Sequence, residues 1–297
     1  MSRPYRFALI GCGFFAQNHL QAWAEMSDVE LVATCDINPD SAAAAAETFG
    51  GTPYTDAAEL FANEELDFVD IATTPPTHRM MVDLAAQHQV AAICQKPLAW
   101  DMNDAQAMVR AMADADLPFM VHENFRFQYP MRKVKEVLDS GVIGRPFFGR
   151  ISFRTAHDVY SAQPWCMDAE RMIIADVSVH QFDLTRFFLG EPDRLFTEAI
   201  RVNPQIKGED VATIVLGLPG ATCIVDTSYE SSSDHSTYPQ TFVTIEGTDG
   251  TVTLGPDYHL QVVSPAGVHE EQLVIPEHSW ASEPWNCIQD SVANVQH

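Results

Sequence analysis

The chain has 297 residues, a length typical of about two domains, and its 46% hydrophobic and 20% charged residues are typical of a folded, soluble protein. Its formal net charge of −24 argues against nucleic acids and anionic membranes as partners, because both bind basic surfaces. No apolar run approaches the roughly 18 residues of a membrane span, and residues 7–11 are too short a run for a signal peptide, so we expect a cytoplasmic protein.

The first 122 residues alternate between short apolar runs and helical patterns. Continuous apolar runs are typical of strands that helices cover on both faces, as in a parallel sheet. We therefore predict an α/β domain of the Rossmann type over residues 1–122. Its predicted strands are 5–11, 29–36, 67–74, 90–94 and 119–122, and its predicted helices are 14–26, 41–49, 56–62, 76–88 and 101–115, the last with Asp101 as N-cap.

From residue 123 onward, alternating strands separated by glycine-containing turns predominate. They predict a second, α+β domain over residues 123–297 with a large, mostly antiparallel sheet. Its predicted helices are 131–140 and 177–189, and its predicted strands are 147–156, 195–202, 211–217, 221–229, 240–246, 251–254, 259–264 and 270–275. An amphipathic helical pattern over residues 285–297 is still running at the last residue, so we expect a truncated C-terminal helix.

The six cysteines do not have the spacing of a metal site or of a C-x-x-C pair. We predict small buried residues in a reducing compartment, with no disulfide and no metal. The six are Cys12, Cys35, Cys94, Cys166, Cys223 and Cys287.

The segment Gly11–Ala16 reads G-x-G-x-x-A and joins the first predicted strand to the first helix. Gly11 permits a tight turn, and Gly13 lets the backbone approach a pyrophosphate. The N–H groups at the start of the helix, around Phe14 and Phe15, favour the phosphate charge. The alternative is an ordinary glycine turn, but the strand before and the helix after it favour a dinucleotide site.

The second predicted strand ends in Asp36, 20 residues after Ala16. A carboxylate at this place accepts hydrogen bonds from the ribose hydroxyls and repels a 2′-phosphate. No arginine follows it in residues 37–40. NAD is therefore favoured over NADP as the cofactor, although Asp36 could also cap the next helix.

Four motifs in order resemble the Gfo/Idh/MocA oxidoreductase family. They are Gly11–Ala16, Cys94–Pro97 (C-Q-K-P), His122–Phe127 (H-E-N-F-R-F) and Ala175–Asp183 (A-D-V-S-V-H-Q-F-D). The resemblance covers nearly the whole chain and implies an NAD-dependent dehydrogenase that acts on CH–OH groups of a sugar, polyol or sugar acid. It also implies a homodimer or homotetramer formed by the sheet of the second domain.

The resemblance implies that Lys96, Asp176 and His180 are catalytic. His180 would take the hydroxyl proton, Lys96 would stabilise the same oxygen, and Asp176 would orient the substrate or the histidine. Two positions depart from the family, because Gln95 replaces a glutamate and so removes a negative charge beside Lys96, and Ser178 replaces a glycine. Taken alone, Lys96 could be a surface lysine, His180 a core histidine and Asp176 an N-cap.

Further site residues follow from the same resemblance. Those expected at the cofactor, besides the glycine-rich segment and Asp36, are Thr73, Thr74, Pro75, His78, Gln95 and Lys96. Those expected at the substrate are Asn124, Arg126 and Trp165, together with Lys96, Asp176 and His180. Arg126 could instead form a structural ion pair, and Trp165 could be a core residue.

Two other activities remain open at this point. Some proteins that resemble this family are glycosidases that use NAD transiently, and others are sensors of NAD or sugars without turnover. The presence of Lys96, Asp176 and His180 argues against a sensor, because a sensor does not need a proton-transfer set.

Overall fold

The computed structural model describes residues 3–232 and 240–274, which fall into two compact units on either side of the Asn124–Phe125 junction. The first unit contains a six-stranded sheet and the second an eight-stranded sheet. The predicted fold, a Rossmann domain followed by an α+β domain with a mostly antiparallel sheet, is confirmed.

The sheet of the first unit is parallel and has the strand order β3-β2-β1-β4-β5-β6. This order reverses between β1 and β4, and ligands of open α/β sheets bind at the carboxyl ends of the strands at such a point. The elements are β1 (Tyr5–Ile10), α1 (Ala16–Ala24), β2 (Val29–Cys35), α2 (Pro39–Phe49), β3 (Thr52–Tyr54), α3 (Ala57–Asn63), β4 (Phe68–Ile71), α4 (Pro75–Gln87), β5 (Ala91–Gln95), α5 (Met102–Asp114) and β6 (Phe119–His122).

Burial and caps explain these elements. The apolar run Phe7–Ile10 is fully buried in β1, because helices cover both faces of the sheet. Asp101 accepts hydrogen bonds from two backbone N–H groups of α5, which confirms the predicted N-cap. The sequence did not predict β3, a three-residue edge strand that contains Pro53 and pairs with β2.

The second unit has the strand order β14-β13-β12-β11-β7-β10-β9-β8, in which β7 and β10 are parallel and the other pairs are antiparallel. Its helices are α6 (Tyr129–Asp139), α7 (Val159–Ala162), α8 (Trp165–Asp168) and α9 (Val179–Leu189). Its strands are β7 (Pro146–Arg154), β8 (Arg194–Ile200), β9 (Val211–Leu218), β10 (Ala221–Ser228), β11 (Thr241–Gly247), β12 (Gly250–Leu254), β13 (His259–Ser264) and β14 (Gly267–Gln272).

One face of this sheet forms the core of the second unit against α6 and α9. The sequence places the start of the apolar helix at residue 177, but a π-helical turn, Ile174–Ser178, precedes α9. The last strand ends at Gln272 rather than at residue 275. The predicted helical pattern over 285–297 and Cys287 lie outside the described residues.

Candidate active site

The glycine-rich segment lies between β1 and α1. Gly11 has a φ of +95°, and a Cβ there would lie 2.7 Å from the carbonyl carbon of Ala72 and from the nitrogen of Thr73. A Cβ on Gly13 would meet no atom within 4 Å. Helix α1 begins after Phe15 without a side-chain cap, so its first N–H groups are available to an anion. This segment therefore fits a dinucleotide pyrophosphate.

Asp36 follows β2 at the same edge of the sheet. Its Oδ2 accepts a hydrogen bond from the backbone N–H of Cys12 at 2.8 Å, and its Oδ1 accepts one from Asn38 at 2.8 Å. These bonds orient the carboxylate and leave further lone pairs for ribose hydroxyls. The N-cap of α2 is Asn38, whose side chain accepts from Asp40, so the alternative that Asp36 caps this helix is wrong.

The loop after β4 contains Thr73, Thr74 and Pro75, and Thr74 is the N-cap position of α4. His78 lies fully buried on α4, with Nε2 3.0 Å from the carbonyl oxygen of Thr73 and Nδ1 3.1 Å from that of Leu98. Burial lowers the pKa of His78, and in the neutral form the ring donates to one of these two carbonyls. The imidazole therefore supports the loops after β4 and β5 and has no surface with which to contact a ligand directly.

Lys96 follows β5 and is joined to Pro97 by a cis peptide bond. Its backbone N–H donates to Oε1 of Gln95 at 2.6 Å. Nε2 of Gln95 lies 3.2 Å from Nε2 of His19, and the Gln95 side chain is buried. The sequence suggested that Gln95 matters because it removes a negative charge beside the lysine ammonium. The structure adds that the Gln95 amide contacts the Lys96 backbone and the buried His19.

Asp176 and His180 lie on the helix of the second unit. Asp176 is buried in the π-helical turn, and its N–H donates to the carbonyl of Met172 inside the helix, so the N-cap alternative is wrong. The Tyr229 hydroxyl donates to its Oδ2 at 3.2 Å. The buried His180 ring stacks on Phe125, with ring centroids 3.8 Å apart and planes 5° from parallel.

The predicted substrate residues have different surroundings. Asn124 is buried at the end of the first unit. Nε of Arg126 donates to Oδ2 of Asp183 at 2.7 Å, its Nη2 contacts the other carboxylate oxygen, and its guanidinium lies 5.3 Å from the Phe187 ring centroid. The alternative of a structural ion pair therefore accounts for the contacts of Arg126. Trp165 is half-buried and packs against the core of the second unit.

Several polar contacts at these positions were not predicted. Tyr229 is 53 residues from Asp176, and the periodicity of β10 gives no hint of that partner. Nδ1 of the buried His19 lies 2.8 Å from Oδ2 of Asp70, and Nε1 of Trp23 donates to the same oxygen at 2.7 Å. A signal existed in the sequence, since the two residues are four apart on α1 and share a helix face.

Other binding features are limited within residues 3–232 and 240–274. No group of three or more His, Cys, Asp or Glu side chains there has the geometry to hold a metal ion. None of the helices in those residues combines the length and apolarity needed to cross a bilayer.

Two family profiles match the chain. The profile described as an oxidoreductase family with an NAD-binding Rossmann fold matches residues 5–123. The profile described as the GFO/IDH/MocA C-terminal domain matches residues 131–253.

Relatives resemble almost the whole chain. It is 49% identical over 291 residues to a D-apiose dehydrogenase of Rhizobium rhizogenes, which aligns 97% of this chain and 84% of that relative. It is 48% identical over 296 residues to the D-apiose dehydrogenase of Paraburkholderia graminis, with 99% and 79% of the two chains aligned.

A crystal structure of an oxidoreductase from Agrobacterium radiobacter in complex with NAD+, L-tartaric acid and magnesium has a TM-score of 0.92 and 49% identity, covering 98% of this chain and 86% of that one. The glycosidase and sensor alternatives find no support among these relatives. The chain belongs to the GFO/IDH/MocA family and is an NAD-binding oxidoreductase that acts on CH–OH groups.

Proposed function

We propose that this protein is an NAD-dependent dehydrogenase of D-apiose. The observation that carries the proposal is the 49% identity, over nearly the whole chain, to a D-apiose dehydrogenase. At that similarity a shared substrate class is the simplest expectation. The buried Asp176 and His180 would supply the polar groups that a carbinol oxidation needs.

The proposed cofactor site lies at the carboxyl ends of β1, β2, β4 and β5. The segment Gly11–Ala16 would bind the pyrophosphate through the backbone N–H groups of Gly13, Phe14 and Phe15, and Asp36 would bind a ribose. When bound, NAD supplies the acceptor for the hydride of the substrate carbinol. The remaining residues proposed for this site are Thr73, Thr74, Pro75, His78 (as a support of the Thr73 carbonyl), Gln95 and Lys96.

His180 is the proposed general base. As the carbinol carbon is oxidised, the hydroxyl oxygen loses its proton to an imidazole nitrogen. The parallel stack on Phe125 fixes the plane of the ring. Asp176, held by the Tyr229 hydroxyl, would orient the substrate or the imidazole.

Lys96 is the proposed electrostatic group. Its ammonium would donate a hydrogen bond to the reacting oxygen and stabilise the negative charge that develops there. Asn124 and Trp165 are proposed to contact other parts of the sugar. Arg126 is proposed at the substrate through those N–H groups that its ion pair with Asp183 does not use.

The test is a steady-state assay of the purified protein with D-apiose, followed through NADH absorbance at 340 nm. D-apiose should give the highest kcat/KM in a panel with other aldoses, inositols and sugar acids, and NAD should be preferred over NADP. Absence of turnover with D-apiose, or an equal kcat/KM for several panel members, would contradict the proposed substrate.

His180→Ala should lower kcat by roughly 10²–10⁴-fold, the usual contribution of a positioned general base, while NAD binding by titration calorimetry is unchanged. His269→Ala is the matched control, because His269 is exposed on β14 and should be dispensable. Full turnover by His180→Ala would remove this residue as the base.

We also propose that the protein is a homodimer or homotetramer formed by the open face of the eight-stranded sheet. This face is the one opposite α6 and α9, and we call it the open sheet face. The strand register puts Phe196 beside Val215 and Val215 beside Ile224, which makes an apolar patch. Phe196 is 66% exposed, and such a patch on a folded chain marks an interaction surface.

A cytoplasmic location is proposed from the thiols. The five described cysteines are buried and free, as expected in a reducing compartment. Thiol counting on protein extracted under denaturing, non-reducing conditions should find them all reduced.

A further inference from the structure

Buried polar side chains of the first unit form a hydrogen-bonded network that ends at the backbone of Lys96, and the proposed function gives its hydrogen bonds no role. The network runs from Asp70 on β4 to His19 on α1, on to Gln95 at the end of β5, and finally to the backbone N–H of Lys96. Relative exposure is 0% for Asp70, 1% for His19 and 7% for Gln95, so water does not compete for these bonds.

The proton positions in this hydrogen-bonded network follow from the backbone N–H of Lys96. The backbone N–H of Lys96 can only donate, so the Gln95 atom 2.6 Å away must be the carbonyl oxygen. The Gln95 NH₂ group then faces His19, whose Nε2 at 3.2 Å must accept. His19 consequently carries its proton on Nδ1 and donates it to the Asp70 carboxylate.

We propose that Gln95 and His19 are positioning residues for Lys96, and that Gln95 holds His19 as the neutral tautomer protonated on Nδ1. The role of Lys96 itself rests on the proposed function, whereas the tautomer and the bond to the Lys96 N–H do not. Gln95 thereby fixes the backbone from which the lysine side chain extends.

The surroundings of His19 support a fixed ring. Trp23, one helical turn later, donates to the same Asp70 oxygen. The His122 ring packs edge-on at 4.5 Å between centroids, and the Phe15 ring does so at 5.4 Å. The His19 ring is thus held by Asp70 on β4, by His122 on β6 and by Phe15 at the start of its own helix. A fixed His19 ring in turn holds the Gln95 side chain in place.

Nuclear magnetic resonance with ¹⁵N-histidine tests the tautomer without any substrate. Long-range ¹H–¹⁵N spectra at pH 7 should show His19, assigned by its loss in His19→Gln, as neutral with the proton on Nδ1. A proton on Nε2, or on both nitrogens, would overturn the proposal. Backbone amide exchange adds a second readout, since the Lys96 N–H should exchange more slowly in the native protein than in Gln95→Met.

Activity tests the positioning. Gln95→Met keeps the side-chain length and removes both hydrogen bonds, so kcat should fall by at least about tenfold, because a displacement near 1 Å can cost roughly a hundredfold. Gln95→Glu keeps an acceptor for the Lys96 N–H and should recover most of that loss. Gln87→Met, an exposed glutamine of α4, is the matched control.

The outcomes separate the two proposals. If the native protein does not oxidise D-apiose, the proposed function fails, while the tautomer and the Lys96 amide exchange are still measured. If Gln95→Met folds and turns over like the native protein, or Gln95→Glu is no better than Gln95→Met, the positioning role is wrong and the proposed function stands.

Discussion

At the scale of single residues, the hydroxyl of Tyr229, which directly follows β10, donates a hydrogen bond to the buried Asp176. A carboxylate buried in a π-helical turn has lost much of its hydration, so each donor to it counts. π-Helical turns are also enriched at functional sites. We therefore expect the Tyr229 hydroxyl to hold the Asp176 carboxylate in place.

We therefore predict that Tyr229→Phe lowers kcat about tenfold, since a hydrogen bond to a charged group contributes about 1.5–3 kcal/mol. The aromatic packing against Phe153 and Tyr160 is retained, so the far-ultraviolet circular dichroism spectrum should not change. Tyr5→Phe, at an exposed position of β1, is the control. An unchanged kcat in Tyr229→Phe would mean that Asp176 needs no such donor.

The place of a residue could be predicted from sequence where the local backbone defines it. The places of Gly11 and Asp36 were predicted, because a turn and a strand end define them. Tyr229 and the Asp183 partner of Arg126 were not, because each contact joins segments distant in sequence and depends on strand register. The hydrogen bonds of Gln95 with the Lys96 N–H and with His19 were not predicted either, because the motif drew attention only to the missing charge.

At the scale of elements, the connection between β1 and α1 contains two glycines, Gly11 and Gly13, that are needed for different reasons. Gly11 has a φ of +95°, and an added Cβ would lie 2.7 Å from the carbonyl group of Ala72, so the absence of a side chain lets the segment after β1 pack against the loop after β4. A Cβ at Gly13 would meet no atom within 4 Å, so we expect that this glycine is needed for the close approach of a ligand.

Gly13→Ala should therefore leave the melting temperature unchanged and weaken NAD binding at least about tenfold, because a Cβ there blocks the pyrophosphate. Gly11→Ala should lower the melting temperature by about 3–10 °C more than Gly50→Ala, since overpacking adds roughly 1–3 kcal/mol. Gly50 is a close control, because its φ is +96° and a Cβ added there would meet no atom within 4 Å.

Calorimetry and cofactor titration check both expectations. Equal destabilisation in Gly11→Ala and Gly50→Ala would show that the contact with Ala72 relaxes without cost. Native NAD affinity in Gly13→Ala would place the pyrophosphate elsewhere.

Strands and helices were predicted correctly where the apolar pattern extends over many residues, and were missed or misplaced where the pattern covers only a few. The buried strands and the amphipathic helices of the Rossmann unit were predicted, because their apolar runs match the layers that cover them. The edge strand β3 was missed, because three residues with a central proline carry too little pattern. The start of the apolar helix was misplaced, because apolarity does not distinguish a π-helical turn from an irregular loop.

At the scale of the whole molecule, a chain with a net charge of −24 repels other copies of itself, so association needs a local surface that offsets this repulsion. The open sheet face has such a composition. Besides its apolar patch, it carries the guanidinium of Arg150, whose Nε donates to the buried Asp226 at 2.8 Å.

Light scattering after size-exclusion chromatography should give a mass of two or more times the 32.9 kDa of one chain. Val215→Lys places a charge in the middle of the apolar patch and should produce monomers, because burying an unpaired ammonium is costly. Val109→Lys, exposed on α5, should leave the mass unchanged. A native monomer, or an unchanged mass in Val215→Lys, would remove the open sheet face as the interface.

The five buried thiols described above can serve as probes of local unfolding. Burial raises the pKa of Cys12 to about 12 and that of Cys223 to about 11, so neither reacts until its surroundings open. Cys12, Cys35 and Cys94 belong to the first unit, while Cys166 and Cys223 belong to the second. In a variant with Cys287 replaced, the order in which these five cysteines are alkylated would show which unit opens first. If NAD stabilises only the unit that binds it, NAD should slow the alkylation of Cys12, Cys35 and Cys94 and leave that of Cys166 and Cys223 unchanged.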